Sequence, residues 1–409
     1  MDIVRRTVLS VLGLQLLLAI VLTLVDSYRR RGKRPKPFPR TPPADVVIGD
    51  GTVTTYTFGQ DLYDDMLAAI EGAQHQVLFE SYIWKADAVG ERFKEALQAA
   101  AGRGVEVYAI YDAFANLVVS PRFKRFGPRM TVLAYPVYNA GWRFLDLRRY
   151  GRDHRKILVV DGAVGFVGGY NVGSAYATEW RDTHVRITGP AVADLERAFA
   201  DFFNLHRPRR GVRPRPRPLL LETSSEWEPR IRVHRNVPRL LVFPIRGMYL
   251  EAVNRASQRI WMTHAYFIPD PDFVGAIIAA AQRGVDVRLL VPAVSNHVVA
   301  DWLSRGYYSD MLTAGVRIFR FQGAMVHAKT ATVDGSWATV GTANVDRLSM
   351  TGNYEVNVEF IDPSMAAQLE RIYETDLTNC VELTSETWGA RGVERKFTER
   401  VLAPLRHLL

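Results

Sequence analysis

The chain has 409 residues, a formal net charge of +9 and one cysteine, Cys380. This length allows about two domains, and a lone cysteine excludes both an intramolecular disulfide framework and a zinc site built from thiolates. The positive charge favours an anionic partner, which is either a phospholipid surface or a nucleic acid.

The first predicted element is a membrane span. Residues 7 to 25 carry no charge and are rich in leucine and valine, and at about 1.5 Å of rise per residue such a helix nearly crosses a bilayer core. A cleaved signal peptide is the alternative, but it needs a shorter apolar core and a small-x-small cleavage site, which Leu24-Val25-Asp26-Ser27 does not provide. We therefore predict an uncleaved anchor.

The basic residues that flank the span predict its orientation. Six arginines and lysines lie between Arg29 and Lys36, against Arg5 and Arg6 on the other side, so the positive-inside rule places the rest of the chain in the cytoplasm. The same residues either bind anionic head groups or only set the topology. We predict a single-pass protein of the cell membrane, with lipid favoured over nucleic acid as the anionic partner.

Helical and strand patterns then alternate, as in an α/β domain. Apolar side chains recur at helical spacing from Leu62 to Ile70, from Val89 to Leu97 and from Val192 to Phe202, with Pro190 in the first turn of the last helix, while Val105 to Ile110 reads as a strand. An arginine- and proline-rich stretch without apolar periodicity follows and is read as an interdomain linker. The predicted parts are an anchor and basic linker at 1–43, a first domain at 44–206, the Arg/Pro linker at 207–220 and a second domain at 221–409.

The second half repeats the same alternation. It contains an apolar run from Ile260 to Ile268, a helix near Phe273 to Gln282 and a strand from Val285 to Val291. The phrase Ala-Gln-Arg-Gly-Val-Asp-Val at 281–287 echoes Ala-Gly-Arg-Gly-Val-Glu-Val at 101–107. In both copies the glycine is placed where a helix must turn into a strand.

The strongest signal is a set of polar residues that recur in the two halves at one constant offset of 173 positions. So many matches at polar positions are hard to obtain by chance. They therefore define the candidate site, which both copies complete with a carboxylate at the same distance from their histidine. The pairs are His154 and His327, Lys156 and Lys329, Asp161 and Asp334, Gly168 and Gly341, Asn171 and Asn344, and Asp182 and Glu355.

The spacing in each copy fits a strand followed by a tight turn. Residues 154 to 160 read as a strand, in which His154 and Lys156 project from the same face because strand side chains alternate. Asp161-Gly162 is typical of a type I′ hairpin turn, and Asp334-Gly335 repeats it. For these two aspartates a turn or lysine-pairing role is favoured over proton transfer. The glycines at 168 and 341 are expected to let the backbone and the asparagines approach a ligand closely.

These residue types suit substitution at phosphorus. The lysines and asparagines form an electropositive cradle that stabilises charge on nonbridging oxygens. One neutral histidine attacks phosphorus, and the other, protonated, donates to the departing alkoxide and later activates the incoming hydroxyl. Asp182 and Glu355 are the candidates to fix each imidazole tautomer. A lysine beside each histidine would repel a cation, so we predict no metal and no cofactor.

At these residues the chain resembles the phospholipase D superfamily, whose motif is H-x-K-x4-D followed by a G-G/S-x-N segment. Both copies are complete, and further pieces look like bacterial cardiolipin synthases over residues 50 to 409. Those pieces are Phe79-Glu80-Ser81-Tyr82-Ile83, Trp180-Arg181-Asp182-Thr183-His184, Ile187-Thr188-Gly189-Pro190, Ala265-Tyr266-Phe267-Ile268-Pro269 and Asn344-Val345-Asp346-Arg347.

The resemblance implies an α/β fold class with two similar phospholipase D-like domains. Each would be a mixed sheet flanked by helices, and pseudo-twofold symmetry would relate the two. It also implies ping-pong transfer of a phosphatidyl group from phosphatidylglycerol through a phosphohistidine, with His154 as the nucleophile and His327 as the acid and base. The acceptor is a second phosphatidylglycerol in a cardiolipin synthase and water in a phospholipase. The single span and the spacing in Asp346-Arg347-Leu348-Ser349 depart from the usual cardiolipin synthase pattern.

Other interpretations stay open at this point. A nuclease of the same superfamily is favoured by the basic charge and by the arginines and aromatics between Phe123 and Tyr150, a segment that lines a substrate channel or packs around the strands. A noncatalytic membrane-binding protein is disfavoured because both copies keep every reactive residue. The pattern Val393, Phe397, Val401 and Leu405 reads as a helix that packs on the domain or lies at a membrane interface, with packing favoured. The sequence does not fix the oligomeric state.

Overall fold

The structure, a computed structural model, describes residues 36–138, 149–207, 217–221 and 227–404, together with Asp146 and several residues between 13 and 28. Two mixed β-sheets form its frame. The strands of the first half are β1 (Ala44–Ile48), β2 (Gly51–Tyr56), β3 (Gln76–Ser81), β4 (Glu106–Asp112), β5 (Met130–Tyr135), β6 (Lys156–Val160), β7 (Val164–Gly168), β8 (Trp180–Arg181) and β9 (His184–Thr188). The strands of the second half are β10 (Ile231–Asn236), β11 (Arg259–His264), β12 (Phe267–Ile268), β13 (Asp286–Pro292), β14 (Arg317–Phe321), β15 (Met325–Val326), β16 (Lys329–Val333), β17 (Trp337–Gly341), β18 (Val345–Asp346), β19 (Glu355–Phe360) and β20 (Cys380–Leu383).

Six strands of each sheet follow the same order. The first runs β1-β2-β9-β7-β6-β3-β4-β5 and the second β10-β19-β17-β16-β11-β13-β14-β20. In the first, β3, β4 and β5 are parallel while β6, β7 and β9 are antiparallel to their neighbours. In the second, β11, β13 and β14 are parallel and β16, β17 and β19 are antiparallel. The repeat seen in the sequence is therefore a repeat of six strands with the same connections.

Helices cover the sheets and also lie between them. Their bounds are α1 (Gly59–Gly72), α2 (Ala88–Gly102), α3 (Ser174–Thr178), α4 (Val192–His206), α5 (Pro244–Arg255), α6 (Pro271–Gln282), α7 (Val298–Ser304), α8 (Tyr308–Thr313), α9 (Arg347–Thr351), α10 (Pro363–Leu377), α11 (Ser385–Gly389) and α12 (Val393–Leu402). Short 3₁₀ turns also occur, among them Pro238–Leu240 and Arg305–Tyr307.

One apolar core joins the two halves. It combines Val167 and Val185 of the first sheet with Val340 and Val358 of the second, and with Phe199 of α4. All five side chains are fully buried, and burying an apolar side chain of this size contributes roughly 1.5 to 3 kcal/mol. Two further cores lie on the other faces, under α1 and α2 in the first half and under α5 and α6 in the second. The shared core holds the two sheets against each other.

The predicted helices are confirmed, with shifts at their ends. The helix predicted from Val192 starts there, but Pro190 lies in a preceding turn, where its carbonyl accepts the N–H of Ala193 at 3.2 Å. Helix α6 begins at Pro271 because Asp270 caps it by accepting the N–H of Phe273. Gly104 and Gly284, predicted at helix-to-strand turns, have φ of 99° and 90°, which only glycine adopts without strain.

Three predictions fall wholly or partly outside the described residues. They are much of the span predicted at residues 7 to 25, most of the linker at 207–220 and part of the segment from Phe123 to Tyr150. Within the residues that the structure describes, none of the helices is both long and apolar enough to cross a membrane. Residues 20–25 are helical, and Leu18 and Leu22 pack with Leu303 and Leu402.

The C-terminal helix packs less completely than its pattern predicts. Leu402 of α12 is buried, but Val393 and Phe397 are 81% and 61% exposed. Packing on the domain, the favoured interpretation, is therefore wrong for these two side chains, because the face that α12 turns inward carries Glu399 and Leu402 instead.

The hairpins that follow β6 and β16 turn as the Asp-Gly pairs predict. Both residues of each pair have positive φ, 52° for the aspartate and 64° for the glycine, as a type I′ turn requires. The Asp161 carboxylate also accepts the N–H groups of Gln74, His75 and Gln76, each at 2.8 Å. Asp334 does the same for Ser257, Gln258 and Arg259. Each aspartate thus fastens the start of the neighbouring strand to the turn.

We expect Asp161→Ala to lower the thermal unfolding midpoint more than Asp161→Asn. Alanine removes the acceptor of three backbone donors and is strained at positive φ, whereas asparagine keeps one oxygen and tolerates this conformation. We expect Asp161→Ala to lower the free energy of unfolding by about 1 to 2 kcal/mol at this partly exposed site. Calorimetry measures the unfolding midpoints of the two variants. Asp334→Ala and Asp334→Asn repeat the comparison at the equivalent turn. Equal midpoints for alanine and asparagine would contradict the bracing role.

Candidate active site

The two histidines lie just before their strands rather than inside them. The strand predicted from residue 154 begins at Lys156, and its counterpart begins at Lys329. The reason is that the histidine N–H groups bond across to the other half. His154 donates its N–H to the carbonyl of Tyr354 at 3.0 Å, and His327 donates to Arg181 at 2.6 Å. Tyr354 and Arg181 are the residues that directly precede the two candidate carboxylates.

Each histidine is paired with the carboxylate of the other half. Nδ1 of His154 lies 2.9 Å and 3.0 Å from the two oxygens of Glu355. Nδ1 of His327 lies 2.6 Å from Oδ2 of Asp182. The sequence offset identified both carboxylates as candidates to orient the imidazoles, without assigning one to either histidine. The structure brings both into the site and shows that each serves the histidine of the other half.

The carboxylates fix which nitrogen of each ring is free. A carboxylate only accepts, so Nδ1 carries the proton in each ring and Nε2 keeps its lone pair. Lys329 Nζ also lies 3.0 Å from Nδ1 of His327, but one nitrogen cannot donate to Asp182 and accept from a lysine at once. The shorter, charge-assisted contact with Asp182 prevails, and Lys329 donates to the carbonyl of His327 instead.

The two carboxylates are held by different groups. The Thr342 hydroxyl donates to Oε2 of Glu355 at 2.5 Å, while Asp182 accepts the N–H of Thr183 at 2.7 Å. The first-half counterpart of Thr342 is Gly169, and a Cβ there would lie 2.0 Å from Oδ1 of Asp182. Asp182 thus needs a glycine at position 169 for space, whereas Glu355 is held by the hydroxyl of Thr342 at the equivalent position.

Burial and the neighbouring charges set the protonation of the carboxylates. Burial raises the pKa of Glu355 to about 7, with Lys156 and the Thr342 hydroxyl working against it. Burial also raises the pKa of Asp182, but the charges of His327 and Lys329 and the hydrogen bonds to it outweigh burial, so its pKa falls to about 2. Asp182 is therefore the firmly ionised member of the pair.

Both lysines are buried and close to losing their protons. Burial lowers the pKa of Lys156 to about 7, aided by the charge of Lys329 and opposed by Glu355. Burial lowers the pKa of Lys329 to about 8, opposed by Asp182 and Glu355. Lys156 Nζ donates to the carbonyl of His154 at 2.5 Å and lies 5.3 Å from the centre of the Tyr82 ring. Two ammonium groups held this way supply a fixed positive field for an anion.

The histidines themselves are neutral in the ligand-free site. Burial and then the charge of Lys156 hold the pKa of His154 well below its usual range. Burial and the charge of Lys329 lower the pKa of His327 to about 3, although Asp182 opposes this shift. A phosphate anion bound beside the lysines would offset their charge, which would raise the pKa of whichever histidine must carry a proton.

The asparagines occupy equivalent positions with different partners. Oδ1 of Asn171 accepts the N–H of Ile83 at 3.1 Å. The buried carboxamide oxygen of Asn344 has no hydrogen-bond partner among the described residues. Because the two ends of a carboxamide exchange by a flip, Asn344 can direct an N–H at a bound oxyanion.

Two predicted pairs do not reach the histidines. Asp161 and Asp334 lie at the far ends of β6 and β16 from the lysines and bind backbone N–H groups there. Gly168 and Gly341 give room to protein rather than to ligand, because a Cβ would lie 2.5 Å from the Cα of His184 or 2.2 Å from the Asn357 side chain. The turn role favoured for the two aspartates is confirmed, whereas the two glycines are corrected from ligand access to close packing between strands.

Several neighbours of the histidines were missed by the sequence argument. The rings of Tyr82 and Trp180 stand edge-on to His154 and His327, with ring centres 4.8 and 5.1 Å apart. Arg181 forms a buried two-contact ion pair with Asp376 of α10, at 2.9 and 2.7 Å. Tyr82 and Trp180 lie in the segments that carry the family resemblance, whereas no periodicity marks Asp376.

The arrangement suits acid–base and nucleophilic work at a phosphorus atom. It offers two neutral imidazoles with free Nε2 atoms, two ammonium groups and ionisable carboxylates behind the rings. In the part of the chain that the structure describes, no group of three histidine, cysteine or carboxylate side chains is placed to hold a metal ion.

The chain is similar to known proteins in sequence and in structure. The chain matches the family described as "Cardiolipin synthase, PLD-like domain" over residues 66–203 and again over 249–377. Cardiolipin synthase 1 of Staphylococcus aureus is 32% identical over 361 residues, which span 83% of this chain and 70% of that protein. Cardiolipin synthase A of Pseudomonas aeruginosa is 34% identical over 367 residues, spanning 87% and 72%. The crystal structure of phosphatidylserine synthase of Haemophilus influenzae superposes with a TM-score of 0.64 at 14% identity, covering 87% of this chain and 92% of that one, so it shares the fold.

The crosswise pairing predicts that a change beside Asp182 is felt at His327 and not at His154. We expect Gly169→Ala to displace Asp182 and to change the side-chain ¹⁵N resonances of His327, while those of His154 stay at the values of a neutral, Nδ1-protonated ring. Selective ¹⁵N labelling of the nine histidines measures this.

A matched control is Gly275→Ala in α6, where a Cβ would meet nothing within 4 Å. It should leave both rings unchanged. A response at His154 with none at His327 would contradict the crosswise assignment.

Proposed function

The chain belongs to the cardiolipin synthase family of phospholipase D-like proteins, and we propose that it joins two molecules of phosphatidylglycerol into cardiolipin and releases glycerol. The observation that carries this function is the pair of histidines in one buried site with two lysines. Each histidine is hydrogen-bonded to a carboxylate from the other half of the chain. The same order of six strands in the two sheets supports a pseudo-twofold relation between them.

The first step breaks the bond between phosphorus and the glycerol head group. Nε2 of His154 attacks phosphorus, and the proton that departing glycerol needs comes from Nε2 of His327. Glu355 holds the proton on Nδ1 of His154 and stabilises the positive charge that develops on the ring. Lys156, Lys329 and Asn344 stabilise the charge on the nonbridging oxygens. The product is a phosphatidyl group bonded to Nε2 of His154.

The second step reverses the first with a different alcohol. The hydroxyl of a second phosphatidylglycerol attacks phosphorus, and His327, neutral after the first step, takes its proton. The bond between phosphorus and His154 then breaks, which frees cardiolipin and restores both rings. Water in place of this hydroxyl would give phosphatidic acid. The firmly ionised Asp182 suits this role, because it favours the protonated form of His327 each time the ring gains a proton.

A product assay tests the function directly. Full-length protein is incubated with phosphatidylglycerol, and lipid and water-soluble products are identified by mass spectrometry, with single-stranded DNA as a parallel substrate. Cardiolipin and glycerol in equal amounts are expected. Phosphatidic acid alone would identify a hydrolase, and cleavage of DNA alone a nuclease. Addition of a chelator should leave the rate unchanged.

The two histidines are expected to fail differently. His154→Ala should abolish covalent labelling by any phosphodiester, because the nucleophile is gone. His327→Ala should still form the adduct from an activated aryl phosphodiester, since a good leaving group needs no proton, while its rate with phosphatidylglycerol falls about 10²- to 10⁴-fold. Peptide mass spectrometry locates the adduct. A phosphohistidine found only at position 327 would reverse the two roles, and no adduct in any variant would point to direct displacement.

The lysines predict a loss of activity on the alkaline side. Their pKa values of about 7 and 8 lie below that of free lysine, so the ammonium charge disappears as pH rises through this range in the empty enzyme. We expect kcat/KM to fall there and kcat to fall at higher pH, because a bound phosphate favours the charged lysines. Initial rates on a soluble phosphodiester give both profiles. A constant kcat/KM up to about pH 10 would contradict the proposed charge state.

Membrane association belongs to the same proposal. The uncharged segment at 7–25 supports an anchor, and the cytoplasmic orientation stays a prediction. A second support is a tight loop after β10, where Leu240 and Leu241 are 64% and 62% exposed. Leu241 has φ of 56°, a conformation that costs a branched residue roughly 1 to 2 kcal/mol. Two hydrogen bonds between Val237 and Val242 hold the loop closed.

This loop contacts the segment that leads into His154. Pro238 at the base of the loop packs against Gly151. The next residue, Arg152, places its guanidinium 5.7 Å from the ring centre of Phe114. Phe114 begins a second exposed apolar segment, which also contains Leu117 and Val118. Arg152 is two residues before His154. Exposed apolar tips of this kind suit insertion into a lipid surface.

Leu241→Asn should separate stability from membrane contact. Asparagine tolerates the left-handed conformation, so the thermal midpoint should stay or rise. Turnover of phosphatidylglycerol in vesicles should fall roughly tenfold, because burial of one leucine side chain is lost, while turnover of a short-chain soluble phosphatidylglycerol should not change. Val47→Asn, at a side chain that is 71% exposed on β1, is the control. Equal turnover by both variants on vesicles would exclude the loop from the membrane contact.

A further inference from the structure

A cavity of about 140 Å³ lies in the second half, outside the histidine site. The ends of β13 and β14 form its floor, and α7, α8, α11 and α12 surround it. Its lining has more positive than negative side chains, four arginines and two carboxylates. These residues are Asp301, Arg305, Arg320, Arg391, Arg395 and Glu399.

The two carboxylates do not neutralise three of the arginines. Glu399 is paired with Arg391, whose Nε donates to Oε2 at 3.1 Å, and Asp301 accepts the N–H of Ser295 at 3.0 Å. Across the described ranges, no ion pair joins Arg305, Arg320 or Arg395 to a carboxylate. The lining therefore carries an excess of positive charge, and these three arginines form no ion pair within the described residues.

Arg320 feels this excess most strongly. Its Nε atom is buried and has no hydrogen-bond partner among the described residues. Burial, followed by the charges of Arg305 and Arg395, lowers the pKa of Arg320. A buried donor without a partner is unfavourable, so an anion that accepts a hydrogen bond from Arg320 would be stabilised here.

A second polar atom in the cavity also lacks a partner. Oε1 of Glu399 is buried and accepts no hydrogen bond within the described part of the chain. An anion alone would leave this acceptor unmatched. A ligand that carries a hydroxyl next to its phosphate would satisfy both sides, since phosphate accepts from guanidinium groups and a hydroxyl donates to a carboxylate.

We propose that this cavity binds a phosphoglycerol group, with its phosphate on Arg305, Arg320 and Arg395 and its hydroxyl on Oε1 of Glu399. The group is either a free glycerol phosphate or the head group of an anionic phospholipid. No bond is made or broken there. The site holds a head group beside α12, whose Val401 carbonyl accepts from Gln15 of the N-terminal segment at 3.0 Å. The ligand would therefore lie on the helix that the N-terminal segment contacts.

Thermal unfolding of the full-length protein in detergent tests the proposal. Glycerol phosphate, inorganic phosphate and glycerol are compared at equal ionic strength. We expect glycerol phosphate to raise the midpoint by a few degrees or more at saturation. In Arg320→Gln the affinity should fall roughly 10- to 100-fold, and the ligand-free midpoint should stay or rise because a buried repulsion is removed.

Control variants separate this site from the histidine site and from nonspecific charge. Arg400→Gln, an exposed change on the same helix, and His327→Asn should keep the midpoint shift. Arg395→Gln, at an exposed position where the fold is not at risk, should reduce it. Equal shifts in the wild type and Arg320→Gln would overturn the proposal. So would a lower ligand-free midpoint for Arg320→Gln together with no shift in the wild type, because the arginines would then be structural.

Two further arms identify the ligand and its source. A shift with inorganic phosphate as large as that with glycerol phosphate would overturn the role of Glu399. In nanodiscs, phosphatidylglycerol should stabilise the wild type relative to phosphatidylcholine and should not stabilise Arg320→Gln if the source is lipid. Stabilisation by soluble glycerol phosphate only would assign the site to the free ester. None of these outcomes depends on whether cardiolipin is formed.

Discussion

Each histidine of the site depends on a carboxylate that the other half of the chain supplies. Glu355 orients His154 and Asp182 orients His327, and the backbone repeats the exchange through the N–H bonds to Tyr354 and Arg181. The catalytic geometry therefore exists only where the two sheets meet. The shared apolar core and the Arg181–Asp376 ion pair are the means by which the fold keeps them in register. Without that contact neither ring would have a defined tautomer.

Burial of this interface explains the unusual charge states. Removing two lysines and two histidines from water disfavours their charged forms. Asp182, with a pKa of about 2, supplies a fixed negative charge beside them, whereas the pKa of Glu355 is about 7, so Glu355 is only partly ionised at neutral pH. An empty site of this kind stores positive potential at the cost of desolvating ammonium groups. A phosphodiester, which carries one negative charge, relieves that cost on entry. Binding of the substrate and correct protonation of the acid are thus two results of one electrostatic event.

The sequence predicted the repeat far better than the way its copies combine. A constant offset identified both histidines, both lysines and both carboxylates, because side chains at equivalent strand positions point in equivalent directions. The offset contains no information on which sheet faces which, so the sequence did not predict that each carboxylate pairs with the histidine of the other half. It also treated Gly168 and Gly341 as openings for a ligand, whereas the space is occupied by His184 and Asn357. These residues lie directly opposite the glycines on the neighbouring strands β9 and β19, a pairing that the sequence did not predict. Turn chemistry at Asp161 and Asp334 was local and was therefore predictable.

The uneven support of the two carboxylates has an evolutionary consequence. Glutamate with threonine in one copy and aspartate with glycine in the other are two self-consistent solutions, and a single exchange between them creates either a clash or a gap. Divergence of the duplicated halves must therefore proceed by paired substitutions. Because each carboxylate serves the opposite histidine, a lesion in one half is expressed chemically in the other, and its suppressors would be found on the far side of the molecule. A selection for such suppressors would trace the interface residue by residue, as genetics does for the two subunits of a dimer.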